Sequence, residues 1–330
     1  MSEIAGPTQP QQRIVALDVL RGAALLGILV INVRYFAMPL GALNDPTWPS
    51  GELSQSDFFS WFFGTLLFED KMIALFSMLF GAGIVLTAKR SVALHLSRQA
   101  WLFVIGAAHA FLLWHGDVLM IYAVCGLLLT LVRRAPASLL IPAGILCVLI
   151  AIGQRQWEPL AAELGPPLVS ASDAEASEGP SAFAQRRSEV WGRLLEDEVA
   201  IHQSSYGELF TWRAELNLWW HFYGGMFNLL RCGGFMLIGM GLMRARWLDG
   251  SQGLGFELGL AASGFLCGGA LTLLGMHPQM TGMLGNDSVD DPQALARLGR
   301  TGYILRHTAA GTVTLGWIGL ILAWRRSPFL

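Results

Sequence analysis

The segment RQAWLFVIGAAHAFLLWHGD at 98–117 places His109, His115 and Asp117 close together in the chain. Histidine titrates near neutrality, so either ring can serve as a general base toward a hydroxyl or an amine. For His109 the competing reading is a hydrogen bond to a neighbouring helix. For His115 and Asp117 it is structural: they close one helix beside Gly116, and Asp117 caps the next. Arg98 precedes His109 by eleven residues, which returns a helix to nearly the same face.

A second set lies in RIVALDVLRGAALLGILVINVRYF at 13–36. Asp18 and Arg21 are three apart, within pairing reach on one helical face, and Asn32 follows Arg21 by eleven. Ionisable groups in an apolar helix are costly, so this stripe should face protein or water rather than lipid. It reads either as a structural ion pair that docks the helix or as the inner mouth of a polar cavity. Arg231, in NLLRCGGFML, falls near the middle of another apolar run and needs a partner or an aqueous cavity. Gly233 and Gly234 beside it permit close helix approach. Asp18, Arg21, Asn32, Arg98, Asp117 and Arg231 are the candidate substrate-binding residues. His109 and His115 are the catalytic candidates. Glu69, Asp70 and Lys71, just before FSMLFGAG, read as markers of a helix start.

The elements that must position these groups are membrane helices. Of 330 residues 53% are hydrophobic and 14% charged, against roughly 25% charged in a soluble domain. A span needs about 20 mostly apolar residues. Eight candidates follow, near 15–37, 68–88, 98–115, 117–132, 136–153, 216–243, 254–276 and 303–324. The fold class is therefore all-α, a polytopic membrane helix bundle. Segment 58–68, FFSWFFGTLLF, is too short to cross alone and reads as an interfacial or re-entrant piece. Residues 1–12 read as a disordered tail and 13–153 as a five-helix N-terminal bundle. Residues 154–215 read as a partly flexible outer loop, in which FAQRRSEVWGRLLEDEVAIH is expected to form an amphipathic helix. Residues 216–330 form a C-terminal membrane region.

Basic residues set the orientation. With the N-terminus inside, Arg13, Lys89, Arg90, Arg98, Arg133, Arg134, Arg244, Arg246, Arg325 and Arg326 all fall on the inner side, and the loop 154–215 is rich in acids. The net charge of −2 gives no support for a nucleic-acid partner. Cys125, Cys147, Cys232 and Cys267 lie in apolar runs without metal-type spacing and read as buried thiols. No P-loop, HExxH, GxSxG or dinucleotide fingerprint is present. GAG at 81–83 and GMG at 239–241 read as helix-packing glycines.

Three motifs, RIVALDVLRGAALLGILVINV, KMIALFSMLFGAGI and GAAHAFLLWHGDVLMIYAVCGLLL, in this order, resemble the YeiB-like family of bacterial membrane proteins. The C-terminal portion of that family is catalogued as domain of unknown function 418. The family is in turn similar to transmembrane acyltransferases of the heparan-α-glucosaminide N-acetyltransferase and acyltransferase-3 type, whose first helix often carries an Asp-x-x-Arg-Gly start like Asp18, Arg21 and Gly22. That resemblance implies an acyl-CoA donor on the cytoplasmic side of a bacterial inner membrane. It also implies a small-molecule, lipid or glycan acceptor on the outer side. Those enzymes place a histidine at the position of Asn32 or in the loop after the first helix. The loop here, ALNDPTWPSGELSQSD, has none, so the base would be His109, His115 or Asp45. Family members usually run on past a segment like ILAWRRSPFL, so the resemblance also implies a C-terminally shortened chain. No cofactor is implied. Charges on three helices fit a transporter of a small metabolite equally well, and a non-catalytic membrane partner is the third reading.

Overall fold

The computed structural model describes residues 14–43, 47–48, 50, 52–88, 91–164, 195–222, 225–283 and 292–326. Among these the elements are helices: α1 Val15–Ala37, α2 Gln55–Phe63, α3 Lys71–Leu86, α4 Val92–Ala108, α5 Leu119–Leu129, α6 Ala137–Leu164, α7 Tyr206–Phe222, α8 Gly225–Arg244, α9 Leu254–Met283 and α10 Pro292–Trp324. A further helical stretch covers 195–202. The expected all-α membrane bundle is what the chain forms.

Six stretches are long and apolar enough to cross a membrane: Val15–Ala37, Val92–Leu113, Ala137–Gln156, Gly225–Arg244, Leu254–Thr281 and Arg297–Trp324. They match six of the eight expected spans. The other two, α3 and α5, are shorter helices of 16 and 11 residues set inside the bundle. Leu26, Leu113, Leu131 and Leu266 are among the many large apolar side chains exposed on its surface. Exposed apolar side chains in such number fit a lipid environment and not water. The chain is a multi-pass membrane protein.

Boundaries differ from the sequence reading in two places. α6 continues to Leu164, so the loop expected from 154 begins later. The expected span 216–243 is divided between α7, which ends at Phe222, and α8, which starts at Gly225. This division brings Arg231 from mid-span to within two turns of a helix start. The tail 1–12, and 183–194 of the expected amphipathic helix, lie outside the described residues.

α3 is the central post, buried along most of its length between α1, α8 and α10. Glycines set its distance from α8. A Cβ at Gly81 would strike the Met236 carbonyl, and one at Gly239 would strike the Met78 carbonyl. The two backbones thus touch, as the small residues of both motifs require. Leu17, Leu20, Ala24 and Gly27 form the buried stripe of α1, and Gly27 faces Met72 of α3. α9 and α10 pair along their length, with Gly264 against Gly316.

Two π-helical turns interrupt this regular packing, Gly64–Phe68 after α2 and His109–Leu113 after α4. Such turns shift side-chain register and collect at functional sites. Here each delivers ionisable residues to the same end of the bundle.

Candidate functional site

The turn Gly64–Phe68 leads into Asp70, whose φ of 64° lies in the left-handed region uncommon for a non-glycine residue. That corner turns the chain sharply into α3 and aims the Asp70 carboxylate across the bundle. Its Oδ1 accepts from Arg231 Nη2 of α8, and its Oδ2 lies 3.3 Å from His307 Nε2 of α10. These side chains are 23%, 16% and 14% exposed, so they line a recess that remains open at its rim. Arginine stays charged, which makes Asp70 its counter-ion. Tyr303, one turn earlier on α10, stacks on His307 at 3.7 Å between ring centroids and accepts from its Nδ1 through the backbone carbonyl. Lys71 is buried and donates to the Thr65 carbonyl at 2.7 Å instead of to a carboxylate. Thr314 and Trp317 of α10 donate to the carbonyls of Lys71 and Leu67 at 2.9 and 2.8 Å, which locks the corner to α10.

The second π-turn presents His109. Its Nδ1 lies 3.0 Å from Asp117 Oδ1, and the other carboxylate oxygen, Oδ2, accepts from Met120 N at 2.9 Å. Asp117 therefore caps α5 and holds the imidazole at once. It is fully buried, whereas His109 is 33% exposed. Among the described residues Nε2 of His109 has no hydrogen-bond partner. A buried carboxylate on Nδ1 fixes the tautomer that leaves Nε2 as the basic nitrogen. His115 does not join this pair. It packs edge-on against Trp212 and beside Trp114. Burial first, then His202 and Arg213, push its pKa down to about 4. It is neutral at physiological pH, with Nε2 buried and unpartnered.

α7 braces this segment from outside. Asn217 Nδ2 donates to Ala110 O at 2.8 Å, Arg213 Nη1 to Leu112 O at 2.7 Å, and the Tyr206 hydroxyl to the same oxygen at 2.9 Å. These are carbonyls at the end of a helix, where partners inside the helix run out. Tyr35, near the end of α1, connects the two clusters. It sits within electrostatic range of Glu69, Asp70 and Arg231 and edge-on to Trp114, whose ring in turn meets His109.

The remaining predicted residues lie elsewhere. Asp18 and Arg21 do pair, at 3.2 Å, but at the far end of α1 and 52% and 41% exposed. The apolar stripe of α1 occupies the centre of its packed face, leaving this pair at the edge, with Arg21 leaning toward Gly83 of α3. Asn32 is half-buried, and Arg98 is exposed on α4, while His95 and Gln99 take the inward face there. Asp45 lies outside the described residues. His307, Tyr303 and Arg306 were not among the candidates. Their signal was present, since Tyr303 and His307 are spaced i, i+4 in an apolar helix. The four cysteines are free thiols; Cys125 and Cys232 are buried as expected, but Cys147 is half-buried and Cys267 is exposed on α9. Among the described residues no group of three or more metal-ligating side chains converges.

No family model matches the chain, and no solved structure matches it. Three curated proteins do. The uncharacterised protein YeiB of Escherichia coli (strain K12) is 33% identical over 248 residues, covering 74% of this chain and 59% of YeiB. The uncharacterised protein YxaH of Bacillus subtilis (strain 168) is 40% identical over 157 residues, covering 44% of this chain and 39% of YxaH. An uncharacterised 39.9 kDa protein from the amylase 3′ region of Bacillus acidopullulyticus is 35% identical over 130 residues, covering 37% and 35%. The chain thus spans less than two thirds of the length of these relatives. Its homologues are uncharacterised bacterial proteins of the YeiB and YxaH kind, in keeping with the three motifs that led the sequence reading there.

Proposed function

We propose that this chain belongs to a membrane-bound acyltransferase, in which His109 is the general base and Asp117 its positioning residue. The observation that carries this reading is the pair itself: a buried carboxylate on Nδ1, and an Nε2 on a partly exposed ring. In the reaction, Nε2 would take the proton from an acceptor hydroxyl or amine as its oxygen or nitrogen attacks the thioester carbonyl of acyl-CoA. The new ester or amide bond forms as the carbon–sulfur bond breaks, and the proton passes on to the departing thiolate. Such a base contributes typically 10²–10⁴-fold in rate. Arg21 and Arg98, exposed and near the starts of their helices, would meet the phosphates of a cytoplasmic donor.

The same proposal sets the membrane as a bacterial inner membrane with the N-terminus cytoplasmic, on the asymmetry of basic and acidic segments and the bacterial relatives. It makes 216–330 the beginning of the domain of unknown function 418. The acceptor is a small molecule, lipid or glycan at the outer face. A second reading, transport of a small metabolite, is favoured by Asp70, Arg231 and His307, since paired ionisable groups inside a bundle also mark solute pathways.

The test is thioester turnover by the purified chain in nanodiscs with acetyl- and longer acyl-CoA and a panel of acceptors. Loss of roughly 10²–10⁴-fold in His109→Ala and in Asp117→Asn, with both proteins folded, is the expected result. Turnover unchanged in His109→Ala would sink the assignment of the base. Absence of turnover together with acyl-CoA-independent solute uptake into vesicles would replace it with the second reading.

A further inference from the structure

The recess at Asp70 holds more positive charge than its own carboxylates neutralise. Arg231 and Arg306 lie within electrostatic range of Lys71, as do Glu69 and Asp70. Arg34 lies within electrostatic range of Tyr35, and Arg155, exposed on α6, within range of Tyr303. Lys71, Arg231 and Arg306 make three basic groups there against two acidic ones, Glu69 and Asp70. The cations are also poorly matched in detail. Lys71 donates a hydrogen bond to a neutral carbonyl, and Arg306 Nη1 donates to the neutral Gln279 Oε1 at 2.9 Å while its Nε is buried without a partner. Uncompensated charge in a partly buried recess is costly unless a counter-ion completes it. Glu69 Oε2 is likewise buried and unpartnered, so an acceptor waits beside the excess cations.

We infer that this recess binds a phosphate or carboxylate group whose molecule also carries a hydroxyl or ammonium donor, the anion meeting Arg306 and Arg231 and the donor meeting Glu69. A planar guanidinium with a free N–H edge is suited to such an oxyanion. The inference does not depend on the role of His109. A lipid headgroup and a free phosphate share the required chemistry.

Two arms separate these sources, using the full chain in nanodiscs. The first measures radiolabelled inorganic phosphate by equilibrium dialysis. The second compares phosphatidylglycerol with phosphatidylcholine nanodiscs and reads retained lipid by native mass spectrometry. Saturable phosphate binding marks a site for free anions, and selective retention of phosphatidylglycerol alone marks a headgroup site. In either case Arg306→Gln should weaken binding at least tenfold, Arg306→Lys should restore part of it, and Arg134→Gln, at the other end of the bundle, should leave it unchanged. Neither phosphate nor phosphatidylglycerol bound by folded wild-type protein overturns the inference. So does equal loss in Arg134→Gln and Arg306→Gln, which would mark general attraction to a basic surface. Arg306→Gln is preferred to Arg231→Gln because it leaves the Asp70 ion pair intact.

Discussion

The two ends of the bundle carry charge in different ways. Where α1 begins, Asp18 pairs with Arg21 and, nearby in the fold, Arg246 pairs with Asp249, each across three residues of chain. Where α1 ends, Asp70 meets Arg231 across 161 residues and meets His307 from a third helix. A pair three apart forms within one short segment of chain and says little about the fold. A pair between distant helices exists only when α3, α8 and α10 are assembled, so it both tests and fixes that assembly. The first end has one counterexample among the described residues, Arg326 on the fully buried Glu257 at 2.7 Å, which ties the end of α10 to the start of α9.

The sharpest break in this comparison is removal of one partner from the distant pair. Arg231→Gln leaves the Asp70 carboxylate without its guanidinium and should cost about 3–5 kcal/mol of stability. Thermal unfolding in detergent reads it, and adding Asp70→Asn should recover part of the loss because no bare charge remains. Between the two ends, Gly239→Ala forces α3 and α8 apart at the Met78 carbonyl. It should lower stability by about 1–3 kcal/mol, with a larger drop than Gly255→Ala, where a Cβ meets open space. The third test concerns pH. Unfolded His115 takes up its proton from about pH 6.5 downward, whereas the folded ring does so only near 4. The unfolded chain therefore binds more protons between these values. Stability should fall as pH drops from about 6.5 to 4, by up to about 3 kcal/mol, and the His115 contribution should be constant above that range. His115→Gln should flatten that slope. The smallest effect belongs to the local pair: Asp18→Asn should shift stability by less than about 1 kcal/mol. A loss as large as that of Arg231→Gln would erase the distinction between the ends.

The same contrast explains what could be read from the chain. Apolar runs of sufficient length are a local property, so the six long helices were legible, as was the Asp18–Arg21 pair from its spacing. His109 and Asp117 were both visible as residues. Their joining was not, because it depends on the π-helical turn and the loop 114–118 that bring them together. Asp70 read as a helix marker because nothing local distinguishes a carboxylate at a helix start from one aimed across a bundle. Its left-handed backbone and its partners on α8 and α10 are tertiary facts. The division between α7 and α8 had a sign in Gly224-Gly225, a pair that commonly breaks helices.

The brace formed by α7 has a consequence for how this surface tolerates substitution. Arg213, Asn217 and Tyr206 hold Ala110 and Leu112 by their carbonyl oxygens, not by their side chains. Every amino acid offers the same oxygen. Leu112, whose side chain points outward, is therefore free to become any residue compatible with the bilayer, while the grip on its backbone persists. The freedom is one-sided: Arg213 and Asn217 are buried and have no chemical substitute of equal reach. A saturation scan should find the held turn permissive at 112 and the holding helix intolerant at 213 and 217.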